Sequence, residues 1–360
     1  NTSNAEEERA LDSGCGCSCG LTKASWSNPI VLIALATAPI LPGCEGSTST
    51  NCIFLFKIIF DNYKQSKTFD QKVLLFYTLF ISLINVTRDF IMQGLLNTAV
   101  QAARKAGDIA QSNFNRIDAN DIKTKAYNEF FTYVDEEAEK AIKEVIQSRY
   151  PDHDILAEES GYQNNNSDYL WIIDPIDGTT NYIHAFPVYC VSIALKIKGR
   201  LEVAVIYDPS RQELFSAIRG AGSQLDGRKI RVSKQTLLEG SLLGTGFPYR
   251  DQEDWLEVYL DIFSDFTKKV GAIRRPGSAA LDLAYVASGR YDGFWEFGLQ
   301  PWDIAAGILL IQEAGGIVKN LIPNQDVLET GSIITGNPKI FELMNEVIKK
   351  YDHRLIELYS

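Results

Sequence analysis

Apolar positions change their spacing along this chain, and the changes mark out its elements. Leu95, Leu96, Ala99, Ala102, Ala103 and Ala106 follow helical spacing, which predicts an amphipathic helix over 94–113. A second helix is expected from Val134 to Ser148, with Ala138, Ile142 and Val145 on one face and Pro151 ending it. Asp154–Ala157 reads as a strand leading into Glu158, and Tyr169–Ile173 as a short buried strand. Pro175 has no N–H for a ladder, so that second strand is expected to stop at Asp174. Val188–Ile197 and Leu201–Tyr207 are β-rich and joined by Lys198-Gly199-Arg200, a hairpin. Glu213–Ile218 and a turn at Asp226-Gly227 extend an antiparallel sheet. After about residue 236 the pattern changes to a helix near 253–269, helix 278–288, strand 291–297, helix 302–314 and a helix after Pro338. Two halves, 92–235 and 236–360, are expected, with mixed strands and intervening helices in stacked α and β layers.

Residues 1–91 look foreign to the rest. The chain starts with Asn, its two methionines are Met92 and Met344, and five of its six cysteines precede residue 53. The expectation is that 1–91 is upstream sequence and that the protein proper runs from Met92 to Ser360. The rival is a disordered or targeting segment. Ile30–Leu41 is an apolar run of signal-peptide length, and Leu41-Pro-Gly-Cys44 faintly resembles a lipoprotein cleavage site. Against targeting, Glu6, Glu7, Glu8 and Asp12 outweigh Arg9 and Lys23. Val73–Val86 is apolar but short of a membrane span. Cys15-Gly-Cys17-Ser-Cys19 lacks zinc spacing, and its Gly and Ser favour a disordered tail. Cys190 is expected to face a core, which reads as a disulfide-free, cytoplasmic protein. Net charge is −11, and residues 1–91 hold 7 basic and 8 acidic side chains, so −10 falls on the remainder. That argues against a nonspecific nucleic-acid surface and fits a carboxylate-lined cation site.

The densest chemistry lies in Trp171-Ile-Ile-Asp174-Pro-Ile-Asp177-Gly178-Thr179-Thr180-Asn181. Two carboxylates stand where an apolar strand gives way to a small polar turn. Mg²⁺ prefers oxygen ligands and is usually held by a few carboxylates, waters and substrate phosphate. The Gly178-Thr179 turn could open a helix, whose free N–H groups attract phosphate. A site that does both suits phosphate-ester hydrolysis. The plain alternative is an Asx-rich turn in which both aspartates cap backbone. His153, His184 and His353 lie outside the motifs, so metal and carboxylate, not histidine, are expected to activate water. Thr132-x-x-Asp135 also reads as a capping box, and Asp303 after Pro301 as a first-turn helix acid.

Further stretches follow in order: Lys125, Thr132-Tyr-Val-Asp135, Glu158-Glu159-Ser160-Gly161, Gly277-Ser278-Ala279-Ala280, Trp302-Asp303 through Gly307, and Glu313-Ala-Gly-Gly316. With the 171–181 segment they make the chain resemble the inositol monophosphatase family, most of all its bacterial SuhB-type members, from about Met92 to about Lys349. The resemblance implies a five-layer αβαβα sugar-phosphatase fold, usually a homodimer. It implies Mg²⁺-dependent, lithium-sensitive hydrolysis of myo-inositol monophosphate, a small-molecule phosphate ester. In that scheme Asp174 is shared by two cations, Glu158 and the Ile176 carbonyl bind the first, and Asp177 and Asp303 complete the second. Asp135 orients the nucleophilic water with Thr179, and Glu158 counts with them as catalytic. Gly178 and Thr179 amides hold the phosphate. Glu296 accepts from ring hydroxyls, with Gly277, Ser278 and Ala279 against the same ring and Asp177 and Asp303 facing the substrate. Lys125 supports an acidic ligand or a further cation site. Fructose-1,6-bisphosphate and 3′-phosphoadenosine nucleotides remain alternative substrates, because the metal site is common to all three activities. SuhB-type proteins also act as partners of transcription antitermination complexes, and Arg274-Arg275 lies in a segment shared with them, near a dimer or partner surface. Two departures stand out. Glu129-Phe-Phe-Thr132, after Tyr127-Asn128, replaces the usual Asp-Phe-Val-Thr, and Lys319-Asn-Leu-Ile-Pro323 replaces a common turn and is expected to be a surface loop.

Overall fold

The computed structural model describes residues 71–126, 129–247 and 253–358. The chain divides into two compact units, Asn1–Thr87 and Arg88–Ser360. Of the first, the described residues belong to helix α1, Gln71–Asn113, which begins well before the expected residue 94. The cysteine cluster at 15–19, the apolar run at 30–41 and Cys44 lie outside the described residues. Among the described residues no helix is long and apolar enough to cross a membrane.

The second unit is built of layers. A small hairpin, β1 (Lys123–Ala126) and β2 (Glu129–Phe131), precedes helix α2 (Tyr133–Gln147). The next strands are β3 (Asp154–Ala157), β4 (Gly161–Gln163) and β5 (Tyr169–Asp177), and the one-turn helix α3 (Thr179–Ile183) follows them. Then come β6 (Cys190–Ile197), β7 (Arg200–Asp208), β8 (Glu213–Ile218), β9 (Gly222–Leu225) and β10 (Arg228–Lys229). These form an eight-stranded sheet in the order β10-β9-β8-β7-β6-β5-β3-β4. Both expected hairpin turns are present, with Lys198-Gly199 and Asp226-Gly227 at positive φ as tight two-residue turns require.

The other half opens with β11 (Leu242–Thr245), α4 (Glu253–Thr267), β12 (Ala272–Arg274), α5 (Ala279–Ala287) and β13 (Gly293–Glu296). It continues with α6 (Pro301–Glu313), β14 (Ile317–Asn320), α7 (Val327–Thr330), β15 (Ile333–Gly336), α8 (Pro338–Ile348) and α9 (Asp352–Leu358). Its five-stranded sheet runs β12-β11-β13-β15-β14.

Side-chain alternation assigns each face. Trp171, Ile173, Val191, Ile193, Val203 and Val205 turn to one side of the large sheet and meet Leu95, Ala99, Ala138 and Ile142 of α1 and α2. Ile172, Ala194, Ala204 and Phe215 turn to the other, against Leu281 and Ala284 of α5 and Leu309 and Leu310 of α6. Phe294 and Ile333 of the smaller sheet close the same core. On that sheet's far face Leu243, Trp295 and Ile334 meet Tyr259 of α4, Met344 of α8 and Leu355 of α9. The order is helices, sheet, helices, sheet, helices: the five-layer architecture. α5 and α6 are apolar nearly all round because they are covered on both sides.

Two expectations need correction. β5 does not stop at Asp174. The ladder breaks at Pro175 and Ile176 and resumes at Asp177, where Cys190 is the partner. Nor is 319–323 wholly surface. Leu321 and Ile322 are buried, Leu321 in the outer core, with the Asn320 side chain accepting the Ile322 N–H at 2.8 Å.

Candidate active site

The β5 irregularity builds the site. Residues three apart on a plain strand point to opposite faces. Here Asp174 pairs with Ser192 and Asp177 with Cys190, so two β5 residues oppose Val191 alone. This β-bulge restores parity and turns both carboxylates to one side. Asp174 Oδ1 accepts the Ile176 N–H at 2.9 Å and fixes the bulge. Gly178 follows at φ +101, a conformation that favours glycine, and an added Cβ would lie 2.9 Å from the Val188 carbonyl oxygen. The chain can therefore turn sharply into Thr179.

Other elements deliver the remaining acids. Asp303 is the third residue of α6, and its Oδ2 accepts the Gln300 N–H at 2.7 Å, so it caps the helix and reaches the site. One carboxylate oxygen from each of Asp174, Asp177 and Asp303 lies within 4.8 Å of the others. Glu158 follows β3 and hydrogen-bonds Asp174. Ser278 Oγ donates to Asp177 Oδ2 at 2.6 Å and the Ala280 N–H to the same oxygen at 2.7 Å. The Ser278 hydroxyl is thus committed to a carboxylate, which leaves its backbone for the expected ring contact. Asp135 is fully buried. Its Oδ2 accepts from the Thr132 N–H and hydroxyl at 2.8 and 2.7 Å, and its Oδ1 from Thr179 Oγ1 at 3.2 Å. The capping and site roles therefore coincide. Thr179 Oγ1 also lies 3.1 Å from the Ile176 carbonyl oxygen, and its single hydrogen is contested by the two acceptors.

These acids are costly without a counter-charge. Burial raises the Asp174 pKa well above the ordinary carboxylate value, and Glu158, Asp177 and Asp303 raise it further. Burial lifts Asp177 to about 6 against the lowering bonds from Ser278 and Ala280. Burial also lifts Asp135 to about 6, opposed by its Thr132 bonds. Hard oxygen donors packed this closely, with raised pKa values, fit divalent cations such as Mg²⁺. Buried Cys190 lies 3.8 Å from Asp177 Oδ2, and burial pushes its thiol up, so it is an inert wall.

A cleft of about 560 Å³ gathers eleven of the twelve expected site residues: Glu158, Asp174, Ile176, Asp177, Gly178, Thr179, Gly277, Ser278, Ala279, Glu296 and Asp303. Asp135 stands behind Thr179. The Lys125 side chain and residues Tyr127 and Asn128 lie outside what is described. Arg274 is exposed on β12, whereas Arg275 lines the cleft with its guanidinium 5.2 Å from the Phe247 ring centroid. Among the described lining residues there is no histidine. Three contributors went unforeseen. Asn181 Nδ2 donates to the carbonyls of Val188, Pro276 and Gly277 at 2.8, 2.8 and 3.2 Å and ties the two halves together. Glu139 Oε2 accepts the Glu159 and Ser160 N–H groups at 2.8 and 3.3 Å and holds the Glu158 loop. Asp282 lines the cleft from an apolar helix. Asn181 ends the 171–181 motif, and Asp282 is an acid inside an apolar run. Those are the signals that were available.

Nus factor SuhB of Pseudomonas aeruginosa is 49% identical over 72% of this chain and 97% of its own. The crystal structure of extragenic suppressor protein suhB from Bartonella henselae is 39% identical with a TM-score of 0.69, covering 71% of this chain and 99% of that one. Inositol monophosphatase from Anabaena (Nostoc) sp. PCC 7120 is 40% identical with a TM-score of 0.64, covering 72% and 96%. Residues 91–353 match the model of the inositol monophosphatase family, and the chain belongs to that family.

Proposed function

We propose that this protein hydrolyses myo-inositol monophosphate to inositol and phosphate with Mg²⁺, through residues 92–360 acting as its catalytic part. The observation that carries the reading is the convergence of Asp174, Asp177 and Asp303 oxygens within 4.8 Å, in a cleft that Glu296 also lines. Glu158, Asp174 and the Ile176 carbonyl would hold one cation, and Asp174, Asp177 and Asp303 a second. Mg²⁺ held there would supply an activated water and charge neutralisation at the leaving oxygen. The chain's own groups do the rest. Asp135 Oδ1 accepts from the Thr179 hydroxyl, whose oxygen would then orient a water. With a pKa lifted to about 6, Asp135 is a base suited to neutral pH. Gly178 and Thr179 present backbone N–H groups to the phosphate; α3 is a single turn, so these local donors, more than a helix dipole, would do the holding. Glu296 accepts from hydroxyls of the leaving group, beside Ala279 and Gly277.

The test is phosphate release from inositol 1-phosphate by the full chain, with and without Mg²⁺. Mg²⁺-dependent turnover that disappears in Asp174→Asn is the expected result. A folded, Mg²⁺-binding protein without turnover would move the reading to fructose-1,6-bisphosphate or a 3′-phosphoadenosine nucleotide, which belong in the same panel.

A second reading is favoured by the Pseudomonas aeruginosa relative named Nus factor SuhB. In it the chain, as a homodimer, joins transcription antitermination factors, with exposed Arg274 at the contact. Pulldown with transcription elongation factors separates the readings. Binding retained in Asp174→Asn and lost in Arg274→Ala is the expected pattern for a partner role independent of catalysis.

A further inference from the structure

Two neighbouring strands reach the cleft with unequal side chains. β11 and β13 run parallel, with Gly244 beside Phe294 and Thr245 beside Trp295, so the next step sets Gly246 beside Glu296. Residues in register on a parallel pair turn to the same face, and successive residues alternate between faces. Leu243 and Trp295 turn to the outer core. Phe294 turns to the core between the two sheets, and Glu296, two residues on, shares its side of β13. The two β11 positions beside them are both glycines. An added Cβ at Gly244 would lie 2.8 Å from the Tyr291 ring and 3.1 Å from the Phe294 ring. One at Gly246 would overlap the Glu296 carboxylate, whose atoms are the three nearest to it.

The backbone does not call for glycine at 246. Gly246 is absent from the left-handed region, where that residue is favoured. What glycine provides here is space, as it does where another group must approach a strand closely. At Gly244 aromatic rings use that space, and the result is packing. At Gly246 a carboxylate uses it, and Thr245, Gly246 and Glu296 all line the cleft. The Glu296 carboxylate therefore lies across the end of β11, in the place that a side chain at 246 would occupy.

We propose that Gly246 is a positioning residue for substrate recognition: by lacking a side chain it seats the Glu296 carboxylate against the end of β11, where that carboxylate accepts from a hydroxyl of a polyol phosphate. A side chain at 246 displaces the carboxylate. The cleft then keeps its phosphate end and loses its preference for a hydroxylated ester. The inference rests on the proposed roles of Glu296 and of the carboxylate cluster, and it adds a residue that sets specificity through another.

The test is calorimetric binding of inositol 1-phosphate and, separately, inorganic phosphate to the full chain, with Ca²⁺ in place of Mg²⁺. Gly246→Ala is expected to weaken inositol 1-phosphate binding about tenfold and leave inorganic phosphate unchanged, as loss of one hydrogen bond to a charged group would do. Glu296→Ala should do the same. The two changes together should also cost about tenfold rather than a hundredfold, because the added methyl then enters vacated space and the contact can be lost only once. A merely structural role for Gly246 would not produce that non-additivity. Glu296→Asp keeps the charge but withdraws it by one methylene from its seat, and is expected to weaken inositol 1-phosphate binding alone. It serves as the test if Gly246→Ala does not fold. Unchanged inositol 1-phosphate binding in Gly246→Ala, or in Glu296→Asp where that variant stands in, overturns the inference. So does a loss shared by inorganic phosphate, a double variant about a hundredfold weaker, or an unaltered protein that binds only inorganic phosphate. Turnover is a separate readout. Binding that follows this pattern without phosphate release would sink the proposed reaction alone, and turnover with binding indifferent to residue 246 would sink this inference alone.

Discussion

Asp135 shows how much one side chain can carry. One oxygen closes the cap of α2 and the other takes the Thr179 hydroxyl. Asparagine preserves an acceptor but not a base. Asp135→Asn should therefore lower kcat by about 10²–10⁴ while Mg²⁺ still raises the melting temperature. In the unaltered protein the rate should fall as pH drops through about 6, where Asp135 takes up a proton. A kcat that is unchanged in the variant would remove Asp135 from the chemistry and leave it a cap. His153 makes a residue-scale prediction of another kind. It stacks between Tyr150 and Tyr169, with ring centroids 4.7 and 4.4 Å away, and its Nδ1 accepts from Trp171 Nε1 at 3.0 Å. That bond needs the neutral ring, and burial lowers the His153 pKa. The unfolded chain then binds more protons below the ordinary value of 6.5, so this stabilisation is present above 6.5 and is lost as pH falls below it. His153→Phe keeps the stack but strands the Trp171 N–H, at a cost of about 1–3 kcal/mol near neutral pH. Its melting temperature should be lower there and less sensitive to acid. Parallel acid profiles for the two proteins would refute the assignment.

At the scale of elements, α2 is a double clamp. Asp135 in its first turn reaches Thr179, and Glu139 one turn later holds the loop that carries Glu158. Lys143, a further turn along, donates to Ser160 Oγ at 2.9 Å. Groups that orient a metal ligand tune affinity more than they touch chemistry. Glu139→Ala should raise the Mg²⁺ half-saturation about 10–100-fold and spare most of kcat at saturating Mg²⁺. A fall in kcat with unaltered Mg²⁺ dependence would contradict that division. The clamp also explains what the sequence could reveal. Asp135, Glu158, Asp174, Asp177 and Asp303 were legible because each sits in a short local motif. The helices at 133–147, 279–287 and 301–313 were legible from spacing and caps. Glu139 was not, because its acceptor role depends on a loop twenty residues away. The passage of β5 beyond Pro175 was not, because a bulge is a property of pairing: the ladder with β6 decides which face Asp177 takes. The buried Leu321 and Ile322 escaped for a similar reason, since α4 and α8, distant in sequence, supply the core that covers Leu321.

At the scale of the whole molecule, the five layers bring five acids from four segments together, and that assembly opposes folding. Asp135 and Asp177 are lifted from 3.8 to about 6, and Asp174 is also raised. Between those values the folded chain binds more protons than the unfolded one. The stability these groups allow is therefore full below 3.8 and is lost as pH rises through about 6. Near neutral pH the cluster is ionised, repulsive and in need of cations. A cation that binds only the folded state stabilises it by about 2.7 kcal/mol at a hundred times its Kd. For a unit of this size that corresponds to a rise in melting temperature on the order of 5 °C. Thermal scans in EDTA and in saturating Mg²⁺ should show that rise at about pH 7.5 and a smaller one at about pH 5, where protons occupy the same oxygens. In EDTA at the higher pH, Asp174→Asn should melt above the unaltered protein, because it removes one of the mutually repelling charges. In Mg²⁺ the order should reverse, since the asparagine protein has lost the carboxylate shared by both cations. The crossing of the two orders is the decisive feature. Equal Mg²⁺ shifts at both pH values, or an asparagine protein less stable than the unaltered one in EDTA, would mean that these acids are satisfied within the fold and that the cluster is structural.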